Sequence, residues 1–363
     1  MSNGRKIRVL IVDDSAIVRK ILSDALASEP DLDVVGTAPD PYVARDKILA
    51  LEPDVLTLDI EMPRMDGLTF LKKLMRFHPL PTVVISSLAQ PSCRAALEAM
   101  EYGAVEVLGK PGGPYSVGEL RHTLAEKIRA AALARPRVEP QTGAGRNPKD
   151  TPPEATERSR LPAGTVIAIG ASTGGTEAIA AVLTRLPAET PGVVIVQHIP
   201  ATFSRAFAER LNGMCRMEVH EAADGDVLRD GLVLVAPGDY HMLLRRSGGR
   251  YFVNVKTGPR VCYQRPSVDV LFQSVSETAA ERAVGVLLTG MGSDGAQGLL
   301  RMRQAGAHTI AQDEASCVVF GMPREAIAAG AAAQVASLAA MPGAILNPRP
   351  PRSAAAFAPA AIS

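Results

Sequence analysis

Ser172 stands in Val166-Ile167-Ala168-Ile169-Gly170-Ala171-Ser172-Thr173-Gly174-Gly175, an apolar, β-branched run that ends in glycine. The chain then turns helical, from Thr176 to about Leu186. The pattern reads as strand, tight turn and helix, with the serine at the turn. The first N–H groups of a helix lack intrahelical acceptors, and the helix dipole is positive at that end. A serine placed there suits a nucleophile whose product is an oxyanion. The same glycine-rich turn also suits a bound phosphate. Gly170-Ala171-Ser172-Thr173-Gly174 fits the G-x-S-x-G pattern of a nucleophile elbow. Two further groups follow later strands: His198 after Val193–Val196, and Asp294 after Val284–Leu288. Gathered over one sheet edge, the three supply a nucleophile, a general base and a group that orients the base. Taken singly, His198 also reads as a structural histidine and Asp294 as a helix cap. The chain order Ser, His, Asp differs from the Ser, Asp/Glu, His of α/β-hydrolases, so a different fold would reach the same constellation.

A second group lies near the N-terminus. Asp13 and Asp14, Asp59, Ser86 and Lys110 each follow an apolar strand-like run. Three carboxylates in one place repel each other and call for a cation, and hard Mg²⁺ with carboxylate and water ligands fits. Asp59 would then accept a phosphoryl group whose oxygens Lys110 and the metal neutralise, with Ser86 donating to it. The bland alternatives are an N-cap for Asp13 or Asp14 and a solvated surface lysine for Lys110.

The elements that must position these groups alternate between strand and helix. Strands are expected at Ile7–Val12, Val34–Gly36, Val55–Leu58, Thr82–Ile85 and Ala104–Val107, with a helix after each. In the second half they are expected at Thr165–Ile169, Val193–Val196, Leu232–Val235, Val284–Leu288 and Thr309–Ala311, with a weaker one at Arg216–His220. Tyr240–Arg245 and Tyr251–Lys256 read as an inserted hairpin. Repeated βα units imply doubly wound parallel sheets, whose ligand sites lie beyond the carboxyl ends of the strands. The fold class expected is therefore α/β, with two doubly wound parallel-sheet domains at residues 1–133 and 163–343. Residues 134–162 hold six prolines and almost no large apolar side chains, so they read as a flexible tether. Residues 344–363, rich in alanine and proline, read as a disordered tail.

Composition narrows the class. The chain has 363 residues, 47% of them hydrophobic and 21% charged, enough for two cores. A formal net charge of +1 gives no general attraction to nucleic acid or an anionic membrane. Cys93, Cys215, Cys262 and Cys317 form no zinc spacing. No signal peptide or bilayer-length apolar run is evident, so the protein is expected to be soluble and cytoplasmic. His78, His122, His220, His241 and His308 lack comparable strand-end partners.

Val12-Asp13-Asp14-Ser15, Leu58-Asp59-Ile60-Glu61-Met62-Pro63-Arg64-Met65-Asp66-Gly67 and Gly109-Lys110-Pro111 resemble a response-regulator receiver domain of the flavodoxin-like type. The resemblance implies phosphorylation at Asp59, Mg²⁺ held by Asp13, Asp14 and Asp59, and a switch made of Ser86 and Lys110. The second half, Rossmann-like, resembles the catalytic domain of chemotaxis protein-glutamate methylesterases. The resemblance rests on Ile169 to Gly175, Val196-Gln197-His198-Ile199-Pro200, Ala236-Pro237-Gly238-Asp239-Tyr240-His241, Arg265-Pro266-Ser267-Val268-Asp269, Leu288 to Gly295 and Gln312-Asp313. It implies hydrolysis of glutamate γ-methyl esters on chemoreceptors and deamidation of certain receptor glutamines, with Ser172, His198 and Asp294 catalytic. Backbone N–H groups at Thr173 and Met291 are the oxyanion candidates, and no cofactor is expected in this domain. The implied partners are chemoreceptors as substrate and a chemotaxis histidine kinase as phosphodonor. The alternative is a response regulator whose output domain binds a nucleotide without hydrolysis. Against it, no acidic ribose ligand follows at the usual spacing of about 20 residues, and no Walker-type lysine is present.

Overall fold

The computed structural model describes residues 5–87, 89–110, 117–134 and 161–348. Most of the expected tether and most of the expected tail lie outside them.

The first half runs β1 (Ile7–Val12), α1 (Ala16–Ala27), β2 (Leu32–Ala38), α2 (Pro41–Leu51), β3 (Val55–Asp59), α3 (Gly67–Phe77), β4 (Thr82–Ser86), α4 (Gln90–Glu101), β5 (Glu106–Gly109) and α5 (Val117–Leu133). The strands form one parallel sheet in the order β2-β1-β3-β4-β5. The order reverses between β1 and β3, so the crevice opens beyond Val12 and Asp59. Side chains cap the helices that face it. Ser15 accepts from Val18 N–H at the start of α1, and Asp66 does the same for Thr69 N–H in α3. The cap of α1 is thus Ser15. Asp13 instead accepts the Ser15 N–H at 2.8 Å.

The second half runs β6 (Val166–Ala171), α6 (Gly175–Leu183), β7 (Val193–Gln197), α7 (Ala201–Met214), β8 (Glu218–Glu221), β9 (Leu232–Val235), β10 (His241–Ser247), β11 (Arg250–Lys256), α8 (Val268–Thr278), β12 (Ala283–Leu287), α9 (Ala296–Gln304), β13 (His308–Gln312), α10 (Met322–Ala328), β14 (Gln334–Ala336) and α11 (Met341–Leu346). Seven strands form a parallel sheet in the order β14-β13-β12-β6-β7-β9-β8, while β10 and β11 form a separate antiparallel hairpin. β6 sits centrally and every residue in it is buried, as continuous apolar runs in doubly covered parallel sheets are. The hairpin turn is Gly248-Gly249, with φ of 56° and 80°. Positive φ at both central residues is the requirement of a type I′ turn, which glycine meets without strain.

Two elements had no expectation in the sequence. β14 is three residues long, too short for a period to show. α11 crosses the boundary expected at 343, because Ala344, Ile345 and Leu346 are buried against the second domain. Their apolar side chains pack there despite the alanine- and proline-rich surroundings.

The two halves touch. α4 packs on α7, where Arg94 Nη2 meets Glu209 Oε2 at 3.2 Å and Arg210 meets Glu101 Oε1 at 2.9 Å. Val319, with Met291 and Val318 beside it, joins an apolar cluster otherwise built by the first domain, including Leu124 and Ile128 of α5. His122 stacks on Tyr263, with ring centroids 4.9 Å apart.

Candidate active site

β6 pairs with β7 on one side and β12 on the other, in a register that places Gly170 beside both Val196 and Leu287. The residues that follow these strands therefore converge. Ser172, His198 and Asp294 are all buried. Ser172 N–H donates to Thr289 O at 3.0 Å, and His198 N–H to Ala171 O at 3.1 Å. These bonds fasten the Ser172 turn to both neighbouring loops. Gly290 lies against the serine: a Cβ there would come within 2.7 Å of Ser172 Cβ and 2.4 Å of Met322 Sδ. Only glycine fits. Gly174 opens α6 with φ of 76°, a left-handed geometry that again suits glycine.

His198 Nε2 lies 2.8 Å from Asp294 Oδ2. Its Nδ1 is buried and has no hydrogen-bond partner among the described residues. The imidazole thus has one nitrogen anchored and one left for a proton donor, with the two nitrogens exchanged relative to the chymotrypsin arrangement. Asp294 is itself held by the start of α8. Val268 N–H donates to Oδ2 at 2.7 Å, and Asp269 N–H and Ser267 Oγ donate to Oδ1 at 3.0 and 2.8 Å. Burial alone would raise its pKa. The His198 hydrogen bond and charge, with the two backbone donors, outweigh burial and hold it below the ordinary value of 3.8. The N–H groups of Thr173 and Met291 find no acceptor among the described residues.

The first domain gathers its own group. Asp13, Asp14 and Asp59 offer oxygens within 4.8 Å of one another, and Asp13 and Asp59 are buried. Lys110 Nζ meets Asp59 Oδ2 at 2.7 Å and lies 3.5 Å from Asp13 Oδ2. The Asp13 oxygen is attracted at that distance but has no hydrogen bond among the described residues. Burial pushes Asp59 up to about 6 despite Lys110, and it raises Asp13 as well. Ser86 is buried, with its hydroxyl donating to Ser92 O at 3.3 Å. An all-oxygen donor set with one unpartnered buried carboxylate oxygen fits a hard divalent cation.

Several residues with no assigned role in the sequence reading hold the site together. Thr289 Oγ1 donates to Thr173 O at 3.0 Å and accepts Val319 N–H at 3.0 Å. Gln312 Oε1 accepts Thr289 N–H at 2.8 Å. Ser267, Thr289, Gln197 and Gln312 all occur at or beside strand ends or caps, which was their available signal. Glu106 had none. It sits in β5 of the first domain, yet its Oε2 accepts the Thr173 hydroxyl at 2.9 Å and a buried ion pair from Lys127 at 2.8 Å.

A doubly wound domain with a strand-end Ser-His-Asp group, behind a second with a strand-end carboxylate cluster, has the parts that a receiver-linked serine hydrolase needs. Residues 167–345 match the CheB methylesterase family and residues 9–122 the response regulator receiver domain. A protein-glutamate methylesterase/protein-glutamine glutaminase of Syntrophus aciditrophicus (strain SB) is 56% identical over 340 residues, covering 92% of this chain and 96% of that one. A namesake from Rhodospirillum rubrum is 53% identical over 348 residues, covering 92% and 96%. The crystal structure of the Thermotoga maritima CheB methylesterase catalytic domain aligns with a TM-score of 0.50 and 34% identity, covering 51% of this chain and 98% of that one. The chain belongs to the CheB methylesterase family, with a response regulator receiver domain in front. Among the described residues, no helix is long and apolar enough to cross a membrane.

Proposed function

We propose that this chain is a receiver-regulated protein-glutamate methylesterase and protein-glutamine glutaminase. Ser172 acts as nucleophile, His198 as base and Asp294 as the group that orients it. The observation that carries this reading is the buried His198–Asp294 pair, whose free Nδ1 lies at the strand end beside the Ser172 turn. Ser172 Oγ attacks the side-chain carbonyl carbon of a glutamate γ-methyl ester, and its proton passes to His198 Nδ1. The tetrahedral oxyanion is met by the Thr173 and Met291 N–H groups. The C–O bond to the methoxy group then breaks, and that oxygen takes the proton from His198 and leaves as methanol. Water attacks the acyl-serine with His198 as base again, which returns Ser172 and leaves a carboxylate on the substrate. With a glutamine, ammonia leaves instead.

The pairing of receiver and methylesterase implies a kinase as phosphodonor and a receptor protein as substrate. Asp59 accepts the phosphoryl group, with Lys110 against its charge and Ser86 as the switch hydroxyl. Asp13, Asp14 and Asp59 are the residues that would hold Mg²⁺. When bound, Mg²⁺ supplies charge neutralisation at the phosphoryl oxygens. The unphosphorylated receiver covers the Ser172 turn through the Glu106–Thr173 hydrogen bond and the α5 contact with Val319. Phosphorylation activates only as far as it favours a receiver state that docks less well. The relatives' names give the nucleotide-binding alternative no support.

Methanol release from methyl-esterified receptor membranes tests this reading, with and without acetyl phosphate and Mg²⁺, in the wild type and Ser172→Ala. Release should rise with the phosphodonor and vanish in the variant. Release that survives Ser172→Ala refutes the mechanism, and release that ignores the phosphodonor refutes the regulation.

A further inference from the structure

We infer that Gln197 is a positioning residue for the oxyanion hole: its side-chain amide fixes the Ser172–Thr173 peptide and so aims the Thr173 N–H. The inference deepens the hydrolase reading above and rests on it. Gln197 ends β7, one residue before His198, and is buried. Its Nε2 donates to Ser172 O at 2.9 Å and to His198 O at 3.2 Å. One amide therefore ties together the peptides of the nucleophile and the base. Gly175 N–H also donates to Ser172 O, at 2.7 Å. A trans peptide is rigid, and its C=O and N–H point in opposite directions. Holding the Ser172 oxygen from two sides thus sets the direction of the Thr173 N–H, which has no acceptor of its own among the described residues.

The orientation of the amide follows from its neighbours. Both are carbonyl oxygens, which only the NH₂ end can face. Its other end, Oε1, is buried without a hydrogen-bond partner among the described residues. A buried unsatisfied acceptor is unfavourable, so the residue is not explained by its own satisfaction. The amide is also closely seated, because a Cβ at Gly175 would come within 2.1 Å of Oε1.

Gln197→Glu tests the inference. It keeps the shape and exchanges NH₂ for a carboxyl oxygen. Protonated, that carboxyl still donates to one carbonyl. Ionised, it donates to neither and faces both with a negative charge. Activity relative to wild type should therefore fall as pH rises, and the loss should fall on kcat and not on KM.

The full chain is assayed with acetyl phosphate and Mg²⁺ by two readouts, methanol release from receptor membranes and acylation of Ser172 by p-nitrophenyl acetate. The expected result is a loss of about 10–100-fold in kcat and in acylation rate at alkaline pH, somewhat less than deleting a donor outright, with KM unchanged. The gap to wild type should narrow as pH falls. Rates within about threefold of wild type, a loss that is the same at every pH, or a change confined to KM overturns the inference. If Gln197→Glu does not fold, Gln197→Met keeps the length and removes the donor. An equal loss of kcat at unchanged KM then supports the inference, and wild-type rates overturn it. Should wild type be acylated at Ser172 yet release no methanol, the methylesterase reading fails, while the acylation rates still decide the role of Gln197.

Discussion

Asp294→Asn separates the charge of the carboxylate proposed to orient His198 from its geometry. The carboxylate accepts four hydrogen bonds, two on each oxygen. An NH₂ group at the Oδ2 position would face two N–H donors, from His198 and Val268. At the Oδ1 position it would face Ser267 Oγ, which can turn to accept, and the Asp269 N–H, which cannot. The amide therefore settles with its nitrogen at Oδ1. One half-buried N–H, that of Asp269, loses its acceptor, which costs at most about 1–3 kcal/mol. The remaining oxygen still accepts from His198 Nε2, so the tautomer with Nδ1 free is kept. What is lost is the negative charge opposite the imidazolium. At about 4 Å and an effective dielectric constant near 20, that interaction is worth about 4 kcal/mol, or roughly a 10³-fold loss in kcat. The assay is methanol release at saturating phosphodonor, with urea unfolding of the same preparations. The stability difference has a pH signature as well. Asp294 titrates below its ordinary value of 3.8. Its contribution is therefore present above that value and is lost as pH falls through the folded pKa. The two proteins should converge in stability in acid. A loss in kcat of less than about tenfold would refute the charge argument. A loss beyond about 10⁴-fold would show instead that the tautomer had changed.

Asp59→Asn should abolish the response to phosphodonor and leave the basal rate in place, read by methanol release. The same variant should raise stability at pH 7. Burial pushes the Asp59 carboxyl up to about 6, so the folded state binds the proton more tightly and loses stability as pH rises from 3.8 to 6. The gain is about 3 kcal/mol at most, and thermal unfolding should show it vanish near pH 4. Glu106→Gln weakens the acceptor for the Thr173 hydroxyl and the partner of Lys127. Basal release without phosphodonor should rise by up to about tenfold, since a hydrogen bond to a charged group is worth about 1.5–3 kcal/mol and only part of it is lost. An unchanged basal rate would detach this contact from regulation. Mg²⁺ should raise the unfolding temperature of wild type and do so much less in Asp13→Asn, which removes one charge from the carboxylate set.

The strand-end residues were legible because two physical signals coincide there. An apolar β-branched run that stops at a polar residue marks both the end of a parallel strand and the edge where such sheets bind ligands. Asp59 ends β3, His198 follows β7, and Asp294 lies in the loop after β12. Element bounds were read closely where an apolar run is sharply bounded, as at Ile7–Val12 and Leu232–Val235, which are β1 and β9 residue for residue. The strand order was not readable, since alternation alone does not say that β6 lies between β7 and β12. β14 gave no signal because three residues carry no period, and α11 was hidden by alanine and proline around a short apolar stretch.

The contact between domains was illegible for a different reason. Glu106 starts a buried strand, and a carboxylate there reads as a surface group or an interruption. Its meaning lies in two partners distant in sequence, Lys127 on α5 and Thr173 beside Ser172. Burying a carboxylate is unfavourable unless it is paired and hydrogen-bonded. Lys127 alone provides the charge, but the Thr173 hydroxyl is available only while the second domain is docked. The same strand ends at Gly109, next to Lys110, whose ammonium group lies 2.7 Å from Asp59. β5 thus has the proposed phosphorylation site at one end and the residue after the proposed nucleophile at the other. Any shift of Lys110 toward a phosphoryl group acts on an element that also holds the Glu106 acceptor. Sequence motifs identify the two sites separately, and only the fold puts a single four-residue strand between them.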